Sequence, residues 1–228
     1  MKRVGILCAS DTELAPFLKA MEIDRVKERA LLRFYEGRIR QIPVAAVYSG
    51  VCKVNAAVAA ELLIEVFGAD VVINAGTAGG MDARVGLFDT VIAERSVYHD
   101  VAPDILTEFH PWMPSNDFPS DGELLSAAKK YAEFAAHPIR FGTIATGEFF
   151  VENKDRERIC QVCAPLAVDM ETAAAAHVCY ANGIPFLAVR SITDTGEDSG
   201  PENFERNCER ASEIAAEVTM GLLQGWAL

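Results

Sequence analysis

The apolar positions change period repeatedly along the chain, and each change marks an element. Val4–Cys8 is a short, unbroken apolar run with the length of a buried strand. Ser10 follows, with Glu13 three residues on, the spacing of an N-cap and capping box. The helix it opens is expected to run to about Met21. Leu31–Glu36 and Ile42–Tyr48 read as two strands joined near Gly37. Val54, Ala57, Val58, Leu62 and Val66 fall at helical spacing. Asp70–Ala75 reads as a buried strand running into a glycine-rich turn, Gly76-Thr77-Ala78-Gly79-Gly80. Asp89–Tyr98 is a further strand. The four prolines between Pro103 and Pro119 make that segment a long loop. Gly122–Phe134 is a helix and Ile139–Ala145 a strand ending at Thr146-Gly147. Asn153–Cys163 is a short helix. Leu166–Val168 is a brief strand feeding the helix Glu171–Ala181, which Asn182-Gly183 ends. Pro185–Ile192 is the last strand. The acidic run Gly196-Glu197-Asp198-Ser199-Gly200 is expected to be a mobile loop beside Asp194. Pro201–Leu223 is a closing helix.

Strand and helix alternate without a linker, repeat or composition break, which predicts one domain over residues 1–228. Runs such as Val71-Val72-Ile73 and Phe186-Leu187-Ala188-Val189 have no polar face. Strands of that kind are covered on both sides. The fold class is therefore α/β, a mixed and mostly parallel central sheet flanked by helices. In such sheets ligands bind beyond the carboxyl ends of the strands.

Composition narrows the function. The 228 residues are 50% hydrophobic and carry a net charge of −12, with 33 acids against 21 Lys and Arg. A phosphate backbone is repelled by such a surface, so nucleic acid is not the expected partner. No apolar run has the length of a membrane span. The first residues imitate a secretion signal only briefly before Asp11 and Glu13, so the expected compartment is the cytoplasm. Cys8, Cys52 and Cys179 lie in apolar patterns and read as small buried hydrophobes. Cys160-Gln161-Val162-Cys163 is a lone pair without the second pair that zinc requires, and His99, His110, His137 and His177 are scattered. No metal and no cofactor are expected.

Polar groups worth attention stand just after the strands. Glu13 follows the first, Thr77 lies in the glycine-rich segment, Asp169-Met170-Glu171 follows Leu166–Val168, and Asp194 follows the last strand. Each has a plain structural reading: Glu13 as half of a capping box, Glu171 as a favourable charge at a helix N-terminus, Asp194 as a turn residue. Arg190 inside an apolar strand is different, because an unpaired buried guanidinium is costly. It needs an acid at the same rim. Carboxyls gathered in a cleft have shifted pKa values and suit proton transfer.

Taken together, Asn74-Ala75-Gly76-Thr77-Ala78-Gly79-Gly80, Val85-Gly86-Leu87-Phe88-Asp89-Thr90-Val91, Tyr98-His99-Asp100-Val101, the stretch from Val168-Asp169-Met170-Glu171 to Val178, and Pro185 to Asp194 resemble one family. It is the methylthioadenosine/S-adenosylhomocysteine nucleosidases, within the nucleoside phosphorylase superfamily, and the likeness runs from Val4 to about Leu223. The resemblance implies a three-layer α/β/α domain that hydrolyses the N-glycosidic bond of 5′-substituted purine nucleosides. It also implies a homodimer. By position, Glu13 would orient and deprotonate water, and Asp194 would protonate the purine at N7. Glu171 would bind the ribose 2′- and 3′-hydroxyls, with the backbone of Met170 beside it. Arg190 and Thr77 would help hold water and sugar, Phe150 and Val151 would flank the purine, and Val51 would lie near the sugar.

The chemistry agrees with those roles. Cleavage leaves positive charge on the sugar and negative charge on the base, so one acid must donate while another accepts. No arginine follows the first strand, and neutral Asn74 stands where the phosphorylases place one, which disfavours phosphate as nucleophile. Alternatives are a futalosine or aminodeoxyfutalosine hydrolase, a purine nucleoside phosphorylase, or a nucleoside-binding domain without catalysis. Two departures from the family pattern stand out: Cys52 in place of glycine, and Glu148 in place of aspartate. The 103–119 segment also differs, and Phe109, Trp112 and Met113 could line the 5′ pocket.

Overall fold

A computed structural model describes residues 2–197 and 200–226. The strands are β1 (Val4–Cys8), β2 (Met21–Arg29), β3 (Leu32–Ile39), β4 (Ile42–Tyr48), β5 (Val71–Gly80), β6 (Thr90–Tyr98), β7 (Asp117–Pro119), β8 (Ile139–Thr146), β9 (Ala167–Asp169) and β10 (Phe186–Asp194). The helices are α1 (Asp11–Ala20), α2 (Lys53–Glu65), α3 (Ile105–Glu108), α4 (Gly122–Ala132), α5 (Asn153–Cys163), α6 (Thr172–Ala181) and α7 (Pro201–Trp226).

The strands form one mixed sheet with β5 at its centre, paired with β1, β9 and β10. β10 continues through β6 and β8 to β9, so five strands close a ring around the ends of β5 and β10. The β1, β5 and β10 pairings are parallel, which brings three strand ends to one rim. Two apolar layers cover the sheet. On one face α2 and α6 pack through Ala59, Leu63, Ala173, Ala176 and Cys179. On the other, α1, α4 and α7 pack through Leu14, Phe17, Leu124, Ile214 and Leu222. Leu7 of β1 points to the first layer, and Val4, Ile6 and Cys8 to the second, as strand alternation requires. Burial of each such side chain contributes roughly 1.5–3 kcal/mol. Among the described residues no helix is long and apolar enough to cross a membrane.

Four expectations are corrected. The glycine-rich segment is not a turn, because β5 runs through Gly80. Met21–Arg29 carries an extra strand; it lies at the sheet edge and is mostly exposed and charged, so no apolar pattern announces it. The third strand also passes through Gly37 and turns only after Ile39. Within the 103–119 segment a short helix and the strand β7 form, and Met113 is buried. Residues 198 and 199 of the acidic run expected to be mobile lie outside the described residues.

Candidate active site

Helix α1 begins where β1 ends. Ser10 caps it, its Oγ accepting from the Glu13 N–H at 3.2 Å. The reciprocal half of a capping box is absent. The Glu13 carboxylate turns instead toward the sheet, where Oε2 accepts from Ala9 N at 2.7 Å. Its Oε1 accepts from Thr77 N and Thr77 Oγ1, both at 2.8 Å. Glu13 is 3% exposed, so its carboxyl group is buried and is oriented by three donors from two separate parts of the chain. Gly76 makes this approach possible, since a β-carbon there would lie 2.5 Å from the Glu13 carboxyl carbon.

Arg190 is completely buried under this acid. Its Nε meets Asp169 Oδ2 at 2.9 Å, and Nη2 donates to Asn74 Oδ1 at 2.6 Å and to Glu171 Oε2 at 3.4 Å. Nη1 donates to the Thr77 carbonyl at 3.1 Å and stands 3.9 Å from Glu13 Oε1. Burial works against its charge, but Asp169, Glu171 and Glu13 outweigh that and hold its pKa above the ordinary value. Asp169 is itself fixed by Thr146 Oγ1 at 2.6 Å and by the Thr172 hydroxyl. One guanidinium thus faces three carboxyls. Burial first, then Asp169 and Glu13, push the Glu171 pKa to about 7 against the pull of Arg190. The other Glu171 oxygen, Oε1, accepts from Cys52 N at 3.0 Å.

Asp194 ends β10 after a register shift that sets it opposite Gly79. Its Oδ1 accepts from Thr193 Oγ1 at 2.8 Å. Burial raises its pKa, opposed by that hydroxyl and by Arg156. A carboxyl so placed keeps a proton to higher pH than a solvated aspartate.

One cleft of about 190 Å³ gathers these groups. Glu13, Val51, Thr77, Phe150, Val151, Met170, Glu171 and Asp194 all line it. Arg190 does not reach the cleft wall; it lies behind the acids. The residues missed from sequence are Asp169, Asn74 and Thr172, which anchor Arg190, together with Ala9, Phe149 and Phe204. Asp169 and Thr172 stand inside the motif already singled out around Glu171, whereas Phe204 on α7 carries no local signal. Cys52 is not the buried hydrophobe expected: it is partly exposed, with φ 82° and ψ 162°. Glu148 does not line the cleft and instead accepts from Lys53 N at 3.0 Å.

The phosphorylase superfamily model matches residues 3–224. A 5′-methylthioadenosine/S-adenosylhomocysteine nucleosidase of Oceanobacillus iheyensis is 35% identical over 202 residues, covering 86% of this chain and 88% of its own. The chain belongs to the methylthioadenosine/S-adenosylhomocysteine nucleosidase family of that superfamily. Another nucleosidase of this family, from Haemophilus influenzae, is 34% identical over 200 residues, 86% of this chain and 87% of its own. Among solved structures, the Neisseria meningitidis nucleosidase in complex with methylthio-immucillin-A aligns with a TM-score of 0.90 and 29% identity. That alignment covers 98% of this chain and 99% of the other. The futalosine hydrolase of Helicobacter pylori, in its native structure, aligns at 0.88 and 26%, over 98% and 97%. The three-layer nucleosidase fold is thereby shared along nearly the whole chain.

Proposed function

We propose that the protein hydrolyses the N-glycosidic bond of 5′-substituted adenine nucleosides, methylthioadenosine and S-adenosylhomocysteine, to adenine and the 5-substituted ribose. The observation that carries this is the pairing of Glu13 and Asp194 in one cleft but in different surroundings. Asp194, whose pKa burial raises, donates to N7 and neutralises the departing base. Glu13 orients water and takes its proton as the sugar becomes cationic. Thr77 holds Glu13 in place. Glu171 accepts from the 2′- and 3′-hydroxyls, with the Met170 backbone beside it and Val51 over the sugar. Phe150 and Val151 flank the purine. Arg190 is a positioning residue that fixes Glu171 and Glu13 from below. Its guanidinium is engaged by acids on the side toward the cleft, which supports water rather than a phosphate dianion as nucleophile.

The substrate is a small nucleoside, and a second copy of this chain is the proposed partner. Val54 and Val58, one helical turn apart on α2, are exposed a few residues after Val51, which lines the cleft, and Phe109 and Trp112 are exposed apolar residues outside the cleft lining. Sedimentation at micromolar concentration should give twice the chain mass; a monomer would contradict the dimer. The cysteines are all free, which suits a reducing cytoplasm.

The test is release of free base from methylthioadenosine, S-adenosylhomocysteine, futalosine and adenosine, with and without phosphate. Phosphate-independent adenine release from the first two is expected. Release that depends on phosphate, or preference for futalosine, would overturn the proposal, and no release from any of them would favour a binding domain.

A further inference from the structure

The two residues that depart from the family pattern meet outside the cleft. Cys52 has φ 82° and ψ 162°, a region that is almost exclusively glycine's. A side chain here is strained, so the surroundings must hold it. Cys52 N donates to Glu171 Oε1 at 3.0 Å, and the next amide, Lys53 N, donates to Glu148 Oε1 at 3.0 Å. Glu148 is tied in turn: its own N–H donates to Asp100 Oδ2 at 2.9 Å. Lys53 Nζ completes the ring, 2.9 and 3.0 Å from the two Asp100 oxygens and 3.9 Å from Glu148. The start of α2 is therefore clamped to the loop that follows β8, the loop carrying Phe150.

We infer that Glu148, with Asp100 and Lys53, is a positioning residue that keeps the strained Cys52 amide aimed at Glu171 and so readies that carboxylate for the sugar diol. The inference rests on the assignment of Glu171 to the sugar hydroxyls. With the clamp gone, Cys52 relaxes to negative φ and its N–H turns away. A glycine at the same position feels no such strain and keeps the amide in place.

Glu148→Ala should raise KM for methylthioadenosine about tenfold with kcat held within about twofold, because diol binding and not proton transfer is disturbed. Glu148→Gln, which retains an acceptor oxygen, should stay within about threefold of the wild type. Adding Cys52→Gly to Glu148→Ala should bring KM back to within about threefold. The 2′,3′-dideoxy analogue, lacking the groups that Glu171 accepts from, should show no difference between wild type and Glu148→Ala. Amide hydrogen exchange across Cys52 and Lys53 in the free protein should quicken about tenfold in Glu148→Ala. An unchanged KM, a loss that Cys52→Gly leaves in place, or an equal loss on the dideoxy analogue would overturn the clamp. The exchange measurement needs no substrate. A wild type that released no adenine would sink the hydrolase reading, and the clamp would still stand or fall on exchange.

Discussion

Gly76→Ala is the sharpest perturbation of the site, because it adds one methyl group and replaces no proposed catalytic side chain. Gly76 lies within β5 opposite Arg190, with no positive φ to defend, so the cost is steric alone. The new β-carbon would stand 2.5 Å from the Glu13 carboxyl carbon and Oε1 and 2.6 Å from Oε2. Ordinary contact begins near 3.4 Å, so the carboxylate must retreat by close to an ångström. The retreat breaks geometry at Ala9 N, Thr77 N and Thr77 Oγ1 together. A displacement of that size typically costs about 10²-fold in rate, or roughly 2.7 kcal/mol. Weakened buried hydrogen bonds should remove about 1–2 kcal/mol of stability, a fall of roughly 2–8 °C in Tm. Adenine release from methylthioadenosine, followed with a thermal melt on the same preparation, measures both. A folded Gly76→Ala protein with kcat/KM within threefold of the wild type would refute the claim that Glu13 works from this pinned position.

Asp194→Asn should fold normally and lose about 10²–10⁴-fold in kcat on methylthioadenosine; near-normal turnover in steady-state kinetics would remove Asp194 from the acid role. Arg190→Leu strands Asp169 and Glu171 as unpaired buried acids and should cost about 3–5 kcal/mol of stability in denaturant melts, whereas an unchanged midpoint would show that the guanidinium bears little of their charge. Glu171 titrates at about 7 in the folded protein, because burial penalises its charge, against an ordinary value of 4.5. The folded state binds the extra proton across that interval, so this contribution is full below pH 4.5 and is lost as pH rises to about 7. It amounts to roughly 3 kcal/mol. Glu171→Gln should flatten that part of the profile of Tm against pH, and an identical slope in the variant would contradict the burial of a proton there.

The elements that bury one face declare themselves in sequence. β1 and α6 are apolar and buried as their sequence indicates, whereas α2 is a helix as its spacing indicates but buries Ala56, Ala59, Ala60 and Leu63 and leaves Val54, Val58 and Val66 exposed. Edge strand β2 buries only Met21 at its start, and its charged outer positions protect an open edge while hiding the strand. The glycines of β5 were ambiguous for a related reason: glycine marks turns, but it also marks places where something comes close. At Gly76 the intruder is Glu13 and at Gly79 it is Asp194, whose Oδ2 would lie 3.2 Å from an added β-carbon. The acids themselves were legible because a carboxylate directly after a buried strand is unusual. Their supports were not. Asn74 and Thr172 are 98 positions apart in sequence, yet the Thr172 hydroxyl donates to Asn74 Oδ1 at 2.8 Å. Likewise, nothing local to Cys52 indicates that its amide faces a glutamate 119 positions away.

The donors to Glu13 have a consequence for how activity arises during folding. Ala9 belongs to the first strand's end and Thr77 to the central strand, and the two come together only when β1 docks in register along β5. Arg190, which backs the same carboxylate, arrives with the last strand of the chain. A partly assembled molecule can therefore own its helices, its outer hairpin and much of its compactness while remaining catalytically silent. Turnover reports the completion of long-range topology, and recovery of enzymatic rate is a stricter criterion of nativeness here than any regained spectroscopic signal of secondary structure.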